Sequence, residues 1–563
     1  MKPNPIFSRE KTTVINDGWI FSFDNANWQK INVPYCPESK LSGIGYTDFI
    51  PVCYYKKSIT VKKTENRLML HFGAVDYHAT IYVNNQYAGE HVGGYTSFAV
   101  DITDLVADGE NEIFMVVRDG EKGKTASGKQ SQKRQSYGCF YTRTTGIWQS
   151  VWLEEKPVKY IKEVYFYPNV QNTSVKVDLR VSACGKYSIE VLFNGRTVGS
   201  QKGEIEYRKT VAIALSEKHL WKLGEGNLYD VKIRFEEDEV SSYFGLREVT
   251  YQGYDFLLNG VRCYQKLVLD QGYYPDGIYT AMLEEMQKDI DRGLELGFNG
   301  ARLHQKLFDP QFLYLCDKAG YMVWGEYASW GIDYSNLDGV GQFLKEWQEA
   351  LKRDFNHPSI VVWCPLNEAW GDWNDARKKR DVRFVNIVYN FTKEFDSTRP
   401  CVDVSGGHHG KDTDLYDFHC YEPLPNLKKY LDAFENKNEL DVPLLYCKGE
   451  RRKYKKGLPV NLSECGGYSL SEHESNVDTV NEGAVQSEDA WGYGKGETDA
   501  NAFVKRYEDL LSLISKYKKL SGFCYTQLYD IEQEQNGFYR YDRSDKLTIE
   551  QKRRIFNVNN LLD

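Results

Sequence analysis

The second half of the sequence repeats one unit, a short apolar run followed by a segment with helical spacing. The pattern begins near residue 255, and the apolar runs end close to eight positions: Asp270, His304, Glu326, Glu368, Ser405, Tyr421, Glu464 and Gln527. Continuous apolar runs are typical of parallel strands that are buried on both faces. Eight such strands alternating with helices predict a (β/α)8 TIM barrel, which we assign to residues 251–563.

Residues 1–250 show a different period, with apolar and polar residues alternating over short stretches such as residues 175–181. This alternation predicts strands with one buried face, arranged as β-sandwiches. We assign residues 1–157 to a jelly-roll β-sandwich and residues 158–250 to a smaller, immunoglobulin-like β-sandwich. Residues 120–135 are rich in Lys, Gly and Ser. This stretch is interpreted either as a solvated connection or as a lid over a site.

Charge and cysteine usage exclude several classes of function. The net charge of −9 argues against a nucleic-acid partner, because such binding needs a basic face. The 12 cysteines lack the paired spacing of a zinc site and indicate free thiols in a reducing cytoplasm. The N-terminal residues lack the apolar core of a secretion signal, and no run approaches the roughly 18 apolar residues of a membrane span. We therefore expect a cytoplasmic protein with no membrane partner and no metal.

Two of the apolar runs, residues 361–368 and 459–467, carry a glutamate at or near the end, Glu368 and Glu464. In a parallel barrel the carboxyl ends of the strands line one mouth, so both carboxylates are expected there. Two carboxyl groups about 5–5.5 Å apart are what the cleavage of a glycosidic bond with retention requires. Either glutamate alone could equally be a salt-bridged structural residue.

The order of the three domains resembles that of glycoside hydrolase family 2, which includes β-galactosidases, β-glucuronidases and β-mannosidases. The local matches are residues 71–77, 146–149, 367–368 and 463–464. The resemblance implies a sugar-binding-like first domain, Glu368 as the general acid/base and Glu464 as the nucleophile. It also implies that Asn367 binds the sugar 2-hydroxyl and that Tyr421 orients the nucleophile.

The remaining predicted substrate-binding residues lie at strand ends or are aromatic: His304, Arg302, Asp270, Gln527, Trp330 and Trp491. Arg302 could hold the nucleophile ionised through a charge-assisted bond. The two tryptophans could stack on a sugar or simply pack in the core. His304 and His419 could each be a site residue or a structural histidine, and the sequence does not decide between these roles.

The prediction of the sugar depends on the residues just after the last strand. Glucuronidases of the family carry Asn-x-Lys there, whereas this chain has Asn536, Gly537 and Phe538. The primary prediction is therefore a retaining exo-β-glycosidase acting on terminal β-D-galactosides or closely related β-glycosides.

Two alternatives remain open. One is a β-uronidase, a galacturonidase or glucuronidase, whose basic clamp would come from residues 448–456, Lys306 or Arg540. The other is a non-catalytic carbohydrate-binding protein on the same fold. In each case the partner is a small oligosaccharide or glycoside, no cofactor is required, and a homo-oligomer is left open.

Overall fold

The first 250 residues form two β-sandwiches. The computed structural model describes residues 2–119, 125–372, 375–444, 451–470 and 489–562. The strands of the first sandwich are β1 (Thr12–Val14), β2 (Trp19–Ser22), β3 (Gln29–Ile31), β4 (Val52–Val61), β5 (Arg67–Phe72), β6 (Val75–Asp76), β7 (His78–Val83), β8 (Gln86–Val92), β9 (Phe98–Asp101), β10 (Gly109–Arg118), β11 (Gly146–Ile147) and β12 (Val151–Lys156). They form antiparallel sheets in the orders β1-β12-β5-β9 and β3-β2-β4-β10-β7-β8, with β6 and β11 as a separate pair.

The second sandwich has seven strands, as an immunoglobulin-like domain requires. They are β13 (Ile161–Asn169), β14 (Ser174–Val181), β15 (Gly185–Phe193), β16 (Arg196–Ile205), β17 (Arg208–Ala214), β18 (Tyr229–Phe235) and β19 (Asp238–Phe244). Their sheet orders are β13-β14-β17 and β16-β15-β18-β19. On β18 every second residue is buried, which is the period predicted for strands with one solvated face. The predicted domain limits at residues 157 and 250 stay predictions.

The barrel follows a small antiparallel sheet of β20 (Val249–Gln252), β21 (Asp255–Leu258) and β22 (Val261–Arg262). Its parallel strands are β23 (Gln265–Asp270), β24 (Gly300–Leu303), β25 (Met322–Glu326), β26 (Ile360–Cys364), β29 (Tyr416–Cys420), β32 (Val460–Gly466) and β35 (Leu520–Thr526). Short strands in the connections are β27 (Gly371–Asp372), β28 (Asp375–Lys379), β30 (Asp441–Pro443), β31 (Arg451–Lys453), β33 (Tyr468–Leu470) and β34 (Tyr493–Glu497). The predicted TIM barrel is confirmed.

The helices of the barrel are α1 (Leu283–Glu295), α2 (Pro310–Ala319), α3 (Val340–Asp354), α4 (Val382–Phe395), α5 (Leu424–Lys437), α6 (Ala500–Ile514) and α7 (Ile549–Asn559), and a 3-10 turn (Asn560–Leu562) comes after them. Along β23, Leu267 and Leu269 pack inside the barrel with Phe256 of β21, whereas Val268 packs outward with the helices. Within the described ranges, no helix is both long and apolar enough to cross a bilayer.

The fifth strand position differs from the regular pattern. The seven strands hydrogen-bond in the order β26-β25-β24-β23-β35-β32-β29, so the first and last strands in the chain are neighbours. Residues 401–405 occupy the place after β26 and pair with it through two single bridges, Trp363 with Cys401 and Asn367 with Ser405. The apolar run that ends at Ser405 was therefore predicted in the right place, but it does not form a continuous ladder.

The first sandwich docks on the barrel mouth through part of the polar stretch. Residues 120–124 lie outside the described residues, whereas the backbone N–H groups of Ser127 and Gly128 donate to Trp330 O at 2.8 and 3.1 Å. Gly128 has φ +57°, and a Cβ there would lie 2.3 Å from the Gln305 carbonyl oxygen. The described part of this stretch, residues 125–135, is therefore packed through Ser127 and Gly128 against the loops that come after β24 and β25.

This close approach gives a testable difference between two glycines. Gly195 also has positive φ (+76°) but has no atom within 4 Å of an added Cβ. Gly195→Ala should cost only the left-handed backbone penalty of about 1–2 kcal/mol. Gly128→Ala should also push the loop off the barrel, and hydrogen exchange at the Ser127 and Gly128 amides should rise on the order of tenfold. If the exchange rates of these amides in both variants equal those of the unchanged protein, the loop is not tightly docked.

Candidate active site

Glu368 lies just beyond β26 at the C-terminal mouth of the barrel. Its backbone N–H donates to Ser405 O at 2.9 Å, and Ser405 N–H donates to Leu366 O at 2.9 Å. Glu368 has φ +42°, which is rare for a residue with a side chain and costs about 1–2 kcal/mol. The pairing with residues 401–405 thus holds Glu368 in a conformation that a free loop would avoid.

Glu464 lies inside β32, where the pairing is irregular on both sides. The register shifts between Phe418 and His419 on the β29 side and between Leu462 and Cys465 on the β35 side. Such irregularities change the direction in which a side chain leaves a sheet. Here the Glu464 carboxylate comes to the barrel mouth beside His419 and Tyr421.

The two glutamates meet around one histidine. One carboxylate oxygen of Glu368, one of Glu464 and a ring nitrogen of His419 all lie within 4.8 Å of one another. His419 Nδ1 is 2.6 Å from Glu368 Oε1 and 3.3 Å from Glu464 Oε2. The two carboxylates thus lie closer together than the roughly 6.5–9.5 Å that separates the carboxyl groups of inverting glycosidases.

The surroundings of Glu464 favour its ionised form. Burial alone would raise the pKa of this carboxyl, but the charges of His419 and Arg302 bring the pKa down to about 2. Arg302 Nη1 lies 3.1 Å from Glu464 Oε1, and the Tyr421 hydroxyl donates to Oε2 at 2.6 Å. Glu464 is therefore a carboxylate at neutral pH.

The surroundings of Glu368 favour its protonated form. Burial raises the pKa of Glu368 above its usual range, the hydrogen bond from His419 lowers it in part, and the charge of Glu464 raises it. Glu368 is only 4% exposed, so water screens the neighbouring charge poorly. Two carboxyls of the same type thus have their pKa values moved in opposite directions, that of Glu368 up and that of Glu464 down.

Arg302 and its partners support the arrangement from inside the barrel. Arg302 is fully buried and donates to Glu326 Oε1 at 2.7 Å and to Asn367 Oδ1 at 3.1 Å. His304 Nδ1 lies 3.0 Å from Glu326 Oε2 and 4.0 Å from Glu464 Oε1. Burial, together with the charge of Lys129, lowers the pKa of His304 to about 4. His304 is therefore neutral, and Arg302 supplies the fixed positive charge.

The two predicted stacking tryptophans lie in one aromatic cluster at the mouth. Its members are Tyr137, Cys139, Phe140, Trp330, Tyr421, Trp491 and Tyr493, with Trp370 against them. Trp330 Nε1 donates to Asn367 O at 2.9 Å, and Trp491 Nε1 donates to Gly138 O at 2.8 Å. Tyr493 stacks on Tyr421 with ring centroids 3.5 Å apart. The cluster joins the first sandwich to the barrel directly beside the glutamates.

Asp270 and Gln527 lie in neighbouring polar groups. Asp270 accepts from Gly272 N at 2.9 Å, and burial with the nearby charge of Asp289 raises its pKa to about 7. Gln527 bonds to Gln271 and donates to Asn536 Oδ1 at 2.9 Å. Their roles in binding stay predictions, as do the roles assigned to the other site residues.

Two of the basic groups considered as a carboxylate clamp, Lys306 and Arg540, are engaged elsewhere. Lys306 is buried and donates to the carbonyl oxygens of Gly272 and Tyr279, and Arg540 donates to Asp545 O. In the run 448–456, residues 448–450 lie outside the described residues, and exposed Lys455 lies 3.7 Å from Asp412.

Sequence reasoning left the role of His419 open and did not find Lys129, and the structure brings both groups to the site. His419 shares a face with Tyr421 because strand side chains repeat every two residues, and that spacing was the available signal. Lys129 comes from the polar stretch of the first sandwich, and its charge is among the causes that lower the pKa of Glu368. No local pattern indicates that this lysine reaches the barrel.

Within the part of the chain that the structure describes, one cluster of side chains converges closely enough to hold a metal ion. Its members are Glu368, His419 and Glu464. Each of the three is already hydrogen-bonded, Glu368 to His419, His419 to Ser405 at 3.0 Å, and Glu464 to Tyr421. The three groups are thus already joined to one another and to their neighbours by hydrogen bonds.

Comparison with known proteins agrees with this geometry. Residues 45–157 match "Glycosyl hydrolases family 2, sugar binding domain", residues 159–247 match "Glycosyl hydrolases family 2", and residues 279–454 match "Glycosyl hydrolases family 2, TIM barrel domain". The chain belongs to glycoside hydrolase family 2. The three matches succeed one another along the chain in the order expected for this family.

Individual relatives of this family 2 protein carry more than one activity name. It is 25% identical over 465 residues to a β-galactosidase of Thermoanaerobacter pseudethanolicus, covering 74% of this chain and 58% of that protein. It is 25% identical over 402 residues to the β-glucuronidase of Mus musculus, covering 65% and 61%. The chain thus spans less than two thirds of these curated relatives.

Among solved structures, a family 2 β-galacturonidase from Eisenbergiella tayi bound to glycerol has the same fold. The TM-score is 0.77 at 19% identity, covering 99% of this chain and 98% of that one. At this identity the likeness extends to the fold and not to the substrate.

The lowered pKa of Glu464 gives a pH prediction. Tyr421→Phe removes a donor that lowers the pKa of Glu464, so that pKa rises and the acidic limb of kcat/KM moves to higher pH. We expect kcat to fall on the order of 100-fold. The measurement is the pH–rate profile on an aryl β-glycoside.

The control is Tyr507→Phe, which removes a buried hydroxyl bonded to Asn559 at 2.7 Å, away from the glutamates. This variant should leave the acidic limb in place. An acidic limb that also stays in place in Tyr421→Phe would contradict the role given to Tyr421.

Proposed function

We propose that the protein is a retaining exo-β-glycosidase in which Glu464 is the nucleophile and Glu368 is the general acid/base. The observation that carries the proposal is the pair itself: carboxylate oxygens within 4.8 Å of each other, one carboxyl held ionised and the other with a raised pKa. Membership of a glycoside hydrolase family supports the same chemistry.

In the first step, a carboxylate oxygen of Glu464 forms a bond to the anomeric carbon of the bound sugar. The bond from that carbon to the aglycone oxygen breaks, and Glu368 gives its proton to this oxygen. The products of the step are the free aglycone and a glycosyl ester on Glu464. Arg302 and Tyr421 hold the attacking carboxylate in place, which reduces the entropy lost on reaching the transition state.

In the second step, Glu464 is an ester and carries no charge. The repulsion between the two carboxylates, which raised the pKa of Glu368, is then gone, so that pKa falls. Glu368 can then take a proton from water, whose oxygen attacks the anomeric carbon and displaces Glu464. The sugar leaves with its original configuration, and Glu368 is protonated again. Asn367 lies beside Glu368, and its amide group has the chemistry to bond the sugar 2-hydroxyl as the charge on the ring develops.

The shape of the mouth supports an exo mode of action. Tyr137, Cys139 and Phe140 of the first sandwich pack with Trp330 and Trp491 of the barrel, so the cleft is walled on the side of the first sandwich. A pocket closed on one side accepts a chain end more readily than the middle of a polymer. The substrate we propose is a small glycoside or oligosaccharide with a terminal β-linked galactose or uronic acid.

Replacement of the nucleophile tests the mechanism. Glu464→Gln should lower kcat by about 10⁴-fold or more on an aryl β-glycoside, because a neutral amide cannot displace the aglycone. The matched control is Glu346→Gln. Glu346, on α3, is also buried, and its carboxyl accepts from the Tyr77 and Tyr327 hydroxyls, outside the glutamate pair. Gln keeps the size of this side chain and removes its charge. Equal activity of both variants would refute the assignment.

Chemical rescue of a Glu368 variant tests the general acid/base. Glu368→Ala should retain measurable glycosylation only with an activated leaving group such as dinitrophenol, and azide should then restore turnover by forming the β-glycosyl azide. An α-glycosyl azide, or no rescue together with full activity on unactivated glycosides, would contradict the role of Glu368. Sugar binding without cleavage of any glycoside would instead favour a non-catalytic carbohydrate-binding protein.

A further inference from the structure

Lys129 brings a buried positive charge from the first sandwich to the barrel mouth. Its residue is only 6% exposed. The ammonium nitrogen lies 5.3 Å from the centroid of the Trp330 ring and 5.8 Å from that of Tyr141. Trp330 in turn bonds the backbone of Asn367, the residue before Glu368. The ammonium therefore lies at the wall of the cleft that contains the two glutamates.

The Lys129 ammonium carries three N–H donors, yet no described residue accepts a hydrogen bond from it or forms an ion pair with it. The aromatic faces of Trp330 and Tyr141 stabilise a cation but accept none of these hydrogen bonds in full. The ammonium nitrogen keeps some surface open to water although the rest of the side chain is buried, so its donors can bond a ligand that enters the cleft.

The neighbouring buried cations differ from Lys129 in this respect. Arg302 is bonded to Glu326, Glu464 and Asn367. Lys306 is bonded to two backbone carbonyl oxygens. The donors of Arg302 and Lys306 are bonded to groups of the protein itself, whereas those of Lys129 are available to a ligand.

We propose that Lys129 binds a carboxylate carried by the substrate and so selects acidic over neutral glycosides. This inference rests on the proposed function, because it names the substrate class of the same site. A single ammonium close to two glutamates matches a group with one negative charge, whereas a dianion such as a phosphate ester would be repelled by Glu464. Arg302, the other nearby cation, is already neutralised by its own carboxylate partners.

The carboxylate could belong to either part of the substrate. One source is C6 of a terminal uronic acid, and the other is an acidic group on the aglycone, since Lys129 lies on the side of the proton donor Glu368. The chemistry at Lys129 is the same in both cases. The experiment therefore compares matched pairs that differ only in one carboxylate.

Three pairs of glycosides separate these sources. Two pairs vary the sugar, 4-nitrophenyl β-D-galacturonide with β-D-galactoside and 4-nitrophenyl β-D-glucuronide with β-D-glucoside. The third varies the aglycone, 3-carboxyumbelliferyl with umbelliferyl β-D-galactoside. Lys129→Met keeps the length of the side chain and removes the charge, Lys129→Arg keeps the charge, and Lys133→Met is the control, an exposed lysine of the same loop.

We expect Lys129→Met to lower kcat/KM for the acidic member of at least one pair by about 30-fold or more, with its neutral partner within about threefold. Lys129→Arg should recover part of the preference, and Lys133→Met should keep all of it. The pair that responds identifies where the carboxylate lies. An equal fall for both members of every pair, or hydrolysis of the neutral members alone by the unchanged protein, would overturn the proposal.

A binding measurement separates failure of this inference from failure of the proposed function. Calorimetric titration of the Glu464→Gln variant with the same six glycosides requires no turnover. Tighter binding of an acidic member that is lost when Lys129→Met is added supports the role of Lys129 even if no glycoside is cleaved. Equal binding within every pair contradicts that role even if the protein is an active glycosidase.

Discussion

The site depends on the electrostatic contrast between two buried carboxyls that share one histidine. Arg302, His419 and Tyr421 hold Glu464 as an anion, and that anion together with burial raises the pKa of Glu368. The contrast exists only because water is excluded, since in bulk solvent charges about 5 Å apart interact by less than about 1 kcal/mol. The barrel supplies the low-dielectric setting, and its strand ends supply the groups.

The first sandwich is a structural part of this site and not only an attached module. Gly128 packs on Gln305, and residues 137–140 pack on Trp330 and Trp491, which closes one side of the cleft. The same contacts bring the charge of Lys129 close enough to act on the pKa of Glu368.

The sequence was sufficient for the parts that depend on regular geometry. The strands of a parallel barrel end at one edge, so Glu368 and Glu464 could be predicted to meet although they are 96 positions apart in the chain. The same rule grouped Asp270 with them, but Asp270 turns back to the Gly272 amide and lies among Asp289 and Lys306. The contact of Lys129 with Trp330 depends on how two domains fit together, and no local sequence signal encodes that fit.

Trapping of the covalent intermediate tests the central claim most directly. A 2-deoxy-2-fluoro β-glycosyl fluoride of galactose or of galacturonic acid slows both steps but leaves a good leaving group, so the glycosyl ester should accumulate. Mass spectrometry of the digested protein should then show one added fluorosugar on the peptide that contains Glu464. A label on any other residue, or hydrolysis of aryl glycosides with inversion at the anomeric carbon, would contradict this account.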